Sequence, residues 1–366
     1  MKKKVWLITY VGSANYGAAL QLFATYKALE KIGCDVAIVN YENKYEVKQK
    51  SLKYLLTNVR LKQKIVWLIS SFVFDVRKNS INNFSEFYKS MTYTRKIYKV
   101  NEMIGKADIY CVGSDQVWNP KITHGFDEVF CLANDDLHKK ISFASSMGSA
   151  EFGLYDTSIL KTHLRNFDAL SVREQVAANY IKENITNKVV TVVDPTFLFD
   201  KDDWMNFWSY KKERPISDKY VLIYALGGYF NECNTLARQI ANKIGAKVVA
   251  ITLSTRKKNV DEILTNVTPE LFVHYIANAS FVVTNSFHGT CFSINLGIPF
   301  YSIKYAKNPF RASELLEKCG LKKRFYCGKN QIEDCMFKND DILDAQIYLK
   351  EESAKSMKWL RNAIYE

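Results

Sequence analysis

Two kinds of segment alternate in residues 5–41, which read VWLITYVGSANYGAALQLFATYKALEKIGCDVAIVNY. The β-branched, apolar runs at 5–11 and 35–41 each predict a strand. Between them, apolar residues recur at helical spacing from Ala18 to Ile32, and Gly33 follows as a helix-ending residue. A strand, a helix and a second strand in this order predict a βαβ unit with parallel strands.

The same alternation continues along the chain and predicts its fold class. A polar stretch at 209–219 separates two series of such segments, which indicates a domain boundary. We therefore expect an α/β protein with two tandem Rossmann-like domains whose parallel sheets face a cleft. The first domain would span 1–210, the second 215–340, and a helix at 341–366 would pack back toward the first. The further predicted strands are 107–112, 140–144, 169–172, 189–193, 220–226, 247–253, 281–284 and 300–303, and the further predicted helices are 231–244, 269–277 and 289–296.

Composition narrows the class of protein. The chain has 366 residues, of which 48% are hydrophobic and 24% charged, as in ordinary globular domains and unlike disordered or multi-pass membrane proteins. Its eight cysteines show no C-x-x-C pair and no Cys/His cluster. This pattern predicts reduced thiols in a cytoplasmic protein, without a disulfide framework or a metal site.

Positive charge is concentrated in one segment. The whole chain carries 51 Lys and Arg against 38 Asp and Glu, and residues 44–106 alone hold 14 basic against 4 acidic residues. We expect a basic, mostly helical insertion there that favours anionic partners, although a solvated helix face would have the same composition. The segment lacks the aromatic pattern of RNA-binding sheets, so no nucleic acid partner is predicted.

In open α/β sheets, ligands bind at the carboxyl ends of the strands, so the loops that follow the predicted strands are the candidate sites. The first loop runs from Gly12 to Gly17 and opens a helix, whose N-terminal N–H groups could face a ligand. Its glycine spacing does not match the G-x-G-x-x-G pattern of nicotinamide cofactors, and a purely structural turn is the alternative. The candidate residues here are Asn15, Tyr16, Gly17 and Gln21.

The loop after the strand at 107–112 combines a carboxylate, two amides and an aromatic ring within six residues, which is typical of a site for a carbohydrate ring. An Asx-type turn before Pro120, with Trp118 in the core, is the alternative. The candidate residues are Ser114, Asp115, Gln116 and Asn119.

Three basic residues end or follow strands. Arg173 suits a bidentate grip on a carboxylate or phosphate, although an ion pair with Glu174 would look the same. His288 stands between a strand and a helix, flanked by Ser286 and Gly289, and Lys304 ends the next strand. A histidine in such a turn could exchange protons with a ligand, whereas a lone histidine is more often a core residue. We expect Arg173, His288 and Lys304 to converge on the interdomain cleft.

Taken in order, these pieces resemble the polysaccharide pyruvyl transferase family, whose members have a GT-B-like fold. The matching pieces are 12–17, 112–119, 171–174, 193–196 and 286–289, and Arg311 with Leu315 and Leu316 resembles the family's closing segment. The resemblance covers about residues 5–321. It implies transfer of the enolpyruvyl unit of phosphoenolpyruvate to a sugar, with formation of a cyclic ketal.

The resemblance also implies roles for the candidate residues. Arg173 and Lys304 would bind the two anionic groups of phosphoenolpyruvate, and His288 would be the acid. Asp115, Gln116, Asn119 and the Asn15/Tyr16 loop would hold the acceptor, with Asp115 as a base for its hydroxyl. Phosphoenolpyruvate is then a co-substrate, and no cofactor or metal is expected.

The acceptor could be a sugar on a polyprenyl diphosphate, which the basic segment would meet at an anionic membrane surface. The main alternative is a GT-B glycosyltransferase that uses a nucleotide sugar. A carbohydrate- or nucleic-acid-binding protein without catalytic activity is a second alternative, but it gives no reason for the placement of the three basic residues.

Overall fold

A computed structural model describes residues 2–41, 43, 83–148, 157–208, 216–226, 230–252, 259–304, 310–328 and 332–366. These residues form two compact units. The first unit holds the described residues up to 43, then 88–195 and 355–366, and the second holds 83–87 and those of 196–354. Within the described residues, no helix is both long and apolar enough to span a membrane.

The first unit is built on a parallel sheet. Its strands are β1 (Lys4–Ile8), β2 (Asp35–Tyr41), β3 (Tyr93–Ile97), β4 (Ile109–Val112) and β5 (Lys139–Ser142), in the order β3-β2-β1-β4-β5. Two shorter strands, β6 (Leu170–Val172) and β7 (Val189–Thr191), pair with each other in parallel. Isolated bridges from Ile141 to Ala169 and from Ser145 to Val172 join β6 to the β5 side of the sheet.

The labelled helices of the first unit are α1 (Tyr16–Lys31), α2 (Pro120–Thr123), α3 (Thr157–Leu164) and α4 (Gln175–Asn184). Asn15 caps α1, because its Oδ1 accepts a hydrogen bond from the Ala18 N–H at 3.2 Å. The helix ends before Gly33, whose φ of +97° suits a residue without a Cβ. These local signals lie in the stretch from which the βαβ unit was predicted.

The second unit contains a six-stranded parallel sheet. Its strands are β8 (Tyr220–Tyr224), β9 (Lys247–Ile251), β10 (Glu262–Leu264), β11 (Phe281–Thr284), β12 (Phe300–Ile303) and β13 (Phe325–Tyr326), in the order β10-β9-β8-β11-β12-β13. Its helices are α5 (Lys201–Asn206), α6 (Phe230–Ile244), α7 (Pro269–Ala277), α8 (Phe287–Asn295) and α9 (Phe310–Lys318). The last helix, α10 (Asp340–Tyr365), contributes residues 340–354 to the second unit and the rest to the first.

Both sheets have the strand order of a Rossmann fold, in which the third, second and first strands are followed outward by the fourth and fifth. The prediction of two Rossmann-like domains with parallel sheets is therefore confirmed. In each sheet the strand order reverses between the first and fourth strands, β1 and β4 in one unit and β8 and β11 in the other. Ligands of such folds bind at the carboxyl ends of these two strands.

The strands missing from the prediction are β3, β10 and β13. All three lie at sheet edges and expose part of their length, so they lack the continuous apolar run of a buried strand. The helical character predicted for 44–106 is wrong at β3, where the sequence YTRKI pairs with β2. Of that predicted insertion, residues 44–82 lie outside the described part of the chain.

Candidate functional site

In the first unit, the loops after β1 and β4 are tied together at the carboxyl edge. The Thr9 hydroxyl donates to the Ser114 carbonyl at 2.6 Å, and the Tyr88 hydroxyl donates to the Ser13 carbonyl at 2.9 Å. Burial raises the pKa of the Tyr88 phenol, and the nearby charge of Asp115 adds to the effect. Tyr88 therefore belongs to this edge, although no sequence motif pointed to it.

Asp115 occupies the tip of the β4 loop in an unusual backbone conformation. Its φ is +82°, a value that L-residues adopt at some cost in energy. Its Oδ1 accepts from the Gln116 N–H at 2.9 Å, and its carbonyl accepts from the Ser146 N–H at 2.9 Å. The side chain keeps 16% of its surface exposed, so its carboxylate remains accessible at the edge.

Two amides of the same loop hold each other. The Asn119 Nδ2 donates to Gln116 Oε1 at 2.8 Å, and Asn119 Oδ1 caps α2 by accepting from the Lys121 N–H at 3.0 Å. Gly148, at a φ of +78°, lies so close that an added Cβ would stand 2.2 Å from Gln116 Oε1. Asn119 is buried and acts as a helix cap, and its direct contact with a ligand remains a prediction.

Trp118 does not offer a platform to a ligand. Its indole N–H donates to the Phe130 carbonyl at 2.9 Å, and its ring packs edge-on against Phe167 with centroids 6.1 Å apart. Because only 3% of its surface is exposed, the alternative prediction of a core tryptophan is correct.

Other predicted contact residues of the first unit are enclosed by the fold. Ser114 and Gln21 have no exposed surface, and Gly17 is also buried. The Ser114 Oγ accepts from Arg173, and the Gln21 Nε2 donates to the Ala18 carbonyl at 3.1 Å. Contact of these three residues with substrate remains a prediction. Asn15 caps α1, and the half-buried Tyr16 follows it with a phenol whose pKa is raised by burial.

Arg173 follows β6 and is surrounded by carboxylates. Its Nε donates to Glu174 Oε1 and its NH1 donates to Asp194 Oδ2, both at 2.8 Å. Asp115 Oδ1 lies 3.8 Å from its NH2. One positive charge among three negative ones leaves this cluster with a net negative charge, and binding of an anionic donor by Arg173 remains a prediction.

In the second unit, His288 is the second residue of α8, directly after β11. Ser286 caps this helix: its Oγ accepts from the Gly289 N–H at 3.3 Å, and its carbonyl accepts from the Thr290 N–H at 3.0 Å. Gly289 packs against β11, since an added Cβ would lie 2.3 Å from Thr284 Oγ1. Ser286 and Gly289, predicted as substrate contacts, therefore have structural tasks that place His288 at the helix start.

Two basic residues lie at the same edge as His288. The Arg311 guanidinium lies 5.3 Å from the Phe287 ring centroid, and the Phe287 and His288 rings are 5.2 Å apart at 76°. Thr284 of β11 pairs with Ser302 of β12, which brings Lys304 to the same edge, where it is exposed. The N-terminus of α8 adds a partial positive charge. This edge is thus basic, in contrast to that of the first unit.

Neither edge offers a metal-binding set. Among the described residues, no group of three or more His, Cys, Asp or Glu side chains is arranged to hold a metal ion.

Comparisons with known proteins extend these observations. A family model described as polysaccharide pyruvyl transferase matches residues 15–308. No curated protein matches the sequence. Among solved structures, one described as a UDP-N-acetylglucosamine 2-epimerase from Listeria monocytogenes has a TM-score of 0.51 at 12% identity, covering 100% of this chain and 93% of its own. Another UDP-N-acetylglucosamine 2-epimerase has a TM-score of 0.53 at 12% identity, covering 98% and 96%. At such identities, the likeness shows the two-domain GT-B-like fold alone.

Proposed function

The chain belongs to the polysaccharide pyruvyl transferase family, and we propose that it transfers the enolpyruvyl group of phosphoenolpyruvate to a sugar of a polysaccharide or lipid-linked precursor. The product would be a pyruvate ketal, with release of phosphate. The observation that carries the proposal is the placement of His288 at the start of α8, on a basic carboxyl edge. A proton donor beside cationic groups is what an enol phosphate with two anionic groups requires.

The chemistry needs one acid and two hydroxyl groups. Protonation of the methylene carbon turns C2 of the donor into an oxocarbenium-like centre, which the first sugar hydroxyl attacks with loss of its proton. The C2–O bond to phosphate then breaks, phosphate leaves with the electron pair, and the second hydroxyl closes the ketal. Every bond change is accounted for by donor, acceptor and proton transfer, so this mechanism needs no oxidant or reductant.

Donor binding is assigned to the second unit. Lys304 and Arg311 would meet the carboxylate and phosphate of phosphoenolpyruvate, and His288 would deliver the proton to the methylene carbon. The stacking of Arg311 over Phe287 supports this role, because a guanidinium held on an aromatic face is oriented before a ligand arrives.

Acceptor binding is assigned to the first unit. Its acidic edge suits a neutral polyhydroxyl compound better than an anion, and the accessible carboxylate of Asp115 is the proposed base for a sugar hydroxyl. Gln116, Asn15 and Tyr16 are the remaining polar candidates with exposed surface.

The decisive assay measures phosphate released from phosphoenolpyruvate, with and without a panel of galactosides, glucosides and mannosides. Acceptor-dependent release is expected, and His288→Ala should lower its rate at least about 100-fold, as loss of a general acid does. The matched control is His138→Ala, which alters an exposed histidine at the amino end of β5 and should leave the rate unchanged.

The glycosyltransferase alternative gives the opposite result. A rise in melting temperature with uridine or guanosine diphosphate but not with phosphoenolpyruvate, together with no phosphate release, would reject pyruvyl transfer. Full activity of His288→Ala would reject the role of His288 while leaving the transfer itself intact.

We also propose that the chain meets its acceptor at an anionic membrane surface. The described end of the basic segment supports this, since Lys96 and Lys99 are exposed beside Tyr98, which is 60% exposed. Each such lysine would contribute about 1 kcal/mol near an anionic surface. Lys96→Glu/Lys99→Glu should therefore reduce sedimentation with phosphatidylserine vesicles, whereas Lys322→Glu/Lys323→Glu should not. Equal binding of the wild type to phosphatidylcholine and phosphatidylserine vesicles would refute the proposal.

A further inference from the structure

Arg173 contacts several polar groups of the first unit. Its Nε and NH1 are each bonded to a carboxylate at 2.8 Å, from Glu174 and Asp194 respectively. Its NH1 also donates to Ser114 Oγ at 3.2 Å, in the loop that carries Asp115. The guanidinium side chain is only 1% exposed.

Ser146 extends the network. Its Oγ donates to Glu174 Oε1 at 2.7 Å, and its backbone N–H donates to the Asp115 carbonyl at 2.9 Å. Asp115 is thus fixed twice: its backbone is held by Ser146, and its carboxylate faces Arg173 at 3.8 Å. These contacts oppose relaxation of the positive φ at Asp115, which would otherwise be costly to maintain.

The three carboxylates differ in what they can reach. The Asp194 side chain is 2% exposed and the Glu174 side chain 11%, whereas Asp115 is the most accessible at 16%. Asp194 and Glu174 therefore orient the guanidinium from inside the fold, and Asp115 is the member placed to meet a ligand. An additional anion would have to enter beside three negative charges.

We propose that Arg173 is a positioning residue, held by Asp194 and Glu174, that fixes the Asp115 carboxylate for the acceptor hydroxyl and does not bind the donor. The inference rests on the proposed function, in which Asp115 is the base. It gives Asp194 and Glu174, which lie in the matching segments 193–196 and 171–174 but had no role assigned there, a role in the reaction through Asp115.

A double-mutant cycle separates this role from general stabilisation. Asp115→Asn should lower kcat at least about 100-fold, and Asp194→Asn should lower kcat about tenfold with little change in KM for phosphoenolpyruvate. If Asp194 acts through Asp115, the double variant should be no slower than Asp115→Asn alone. Once the base is removed, Asp194 no longer has a catalytic group to position.

The control uses another fully buried arginine that is paired with a carboxylate, although its partner Asp341 is 38% exposed. Arg324 has no exposed surface, and its Nε donates to Asp341 Oδ2 at 2.8 Å in the second unit. Asp341→Asn removes the same kind of interaction as Asp194→Asn. It should lower stability without changing kcat, and its effects should add to those of Asp115→Asn.

Donor binding is measured separately, through the rise in melting temperature that phosphoenolpyruvate produces. Arg173→Lys, which keeps a positive charge inside the cluster, should retain this rise in full. Loss of the rise in Arg173→Lys, with additive kcat losses for Asp115→Asn and Asp194→Asn, would overturn the proposal.

Failure of the proposed function would be recognised independently, as absence of acceptor-dependent phosphate release in the wild type. The double-mutant cycle would then be measured by the melting temperatures of the variants alone. Non-additive losses for Asp115→Asn and Asp194→Asn would still support a network that positions Asp115, and additive losses would reject it.

Discussion

Replacement of Gly289 by alanine tests how closely α8 must approach β11 for His288 to be placed. In an open helix this change should stabilise by about 1 kcal/mol, because alanine has the higher helix propensity. Here the added Cβ would lie 2.3 Å from Thr284 Oγ1, 3.0 Å from Thr284 Cβ and 3.1 Å from Tyr224 Cδ1. The first distance is shorter than real Cβ contacts and the other two are tighter than most, so the helix, the strand or the Thr284 hydroxyl must shift.

The size of the loss follows from what holds Thr284. Its hydroxyl donates to the Tyr224 carbonyl at 2.6 Å and accepts from the Ser286 N–H at 3.0 Å. Turning the hydroxyl away would break both bonds at about 1 kcal/mol each. The remaining overlap with Thr284 Cβ and Tyr224 adds about 1 kcal/mol of overpacking. After subtraction of the helix-propensity gain of about 1 kcal/mol, the net destabilisation should be about 2 kcal/mol.

Urea-induced unfolding of Gly289→Ala, Thr284→Ala and the double variant measures this loss. Removal of the Thr284 hydroxyl should relieve most of the overlap, so the double variant should be more stable than the sum of the single losses predicts. Gly289→Ala should also lower the rate of phosphate release, since a shift of α8 displaces His288. The reasoning would be refuted by a stable, fully active Gly289→Ala, or by losses that simply add.

Two further changes test the first unit. Gly148→Ala should cost about 1–2 kcal/mol for the left-handed backbone and about 1 kcal/mol for the displaced hydrogen bond between Gln116 and Asn119. Gly105→Ala, at a φ of +66° with nothing near the added Cβ, should show the backbone cost alone. Equal losses of unfolding free energy in urea for the two variants would contradict this. Burial raises the pKa of the Asp127 carboxyl, so its contribution to stability is fully present below its unfolded-state pKa of about 3.9 and declines as the pH rises through the folded value. Asp127→Asn lacks this decline, so its stability relative to the wild type should improve from pH 4 to 7. Parallel curves of unfolding free energy against pH for the two proteins would show that Asp127 does not titrate differently in the folded state.

Local sequence signals account for the elements that were predicted. The strands β1, β2, β8 and β11 are buried along most or all of their length, and α1 and α8 begin at side chains that cap their own first turn. Burial and capping can each be recognised from a pattern within a few residues of sequence. The strands β3, β10 and β13 leave no such trace, because an edge strand is defined by the neighbour with which it pairs. Tyr93, for example, pairs with Ile38, far away in the sequence.

The same distinction explains which parts of the candidate site the sequence could reveal. Strand ends are readable, so Asp115, Arg173, His288 and Lys304 were expected at carboxyl edges, and the structure places each there. The residues that contact them in the fold cannot be predicted from the sequence. Ser114 lies 59 residues and Asp194 21 residues from Arg173, and either could have faced elsewhere. An arginine that grips an anionic ligand and one that orients a carboxylate have the same local sequence. The sign of the charge around the guanidinium decides between them, and that depends on which loops the strand order β1-β4-β5 and the bridges to β6 bring together.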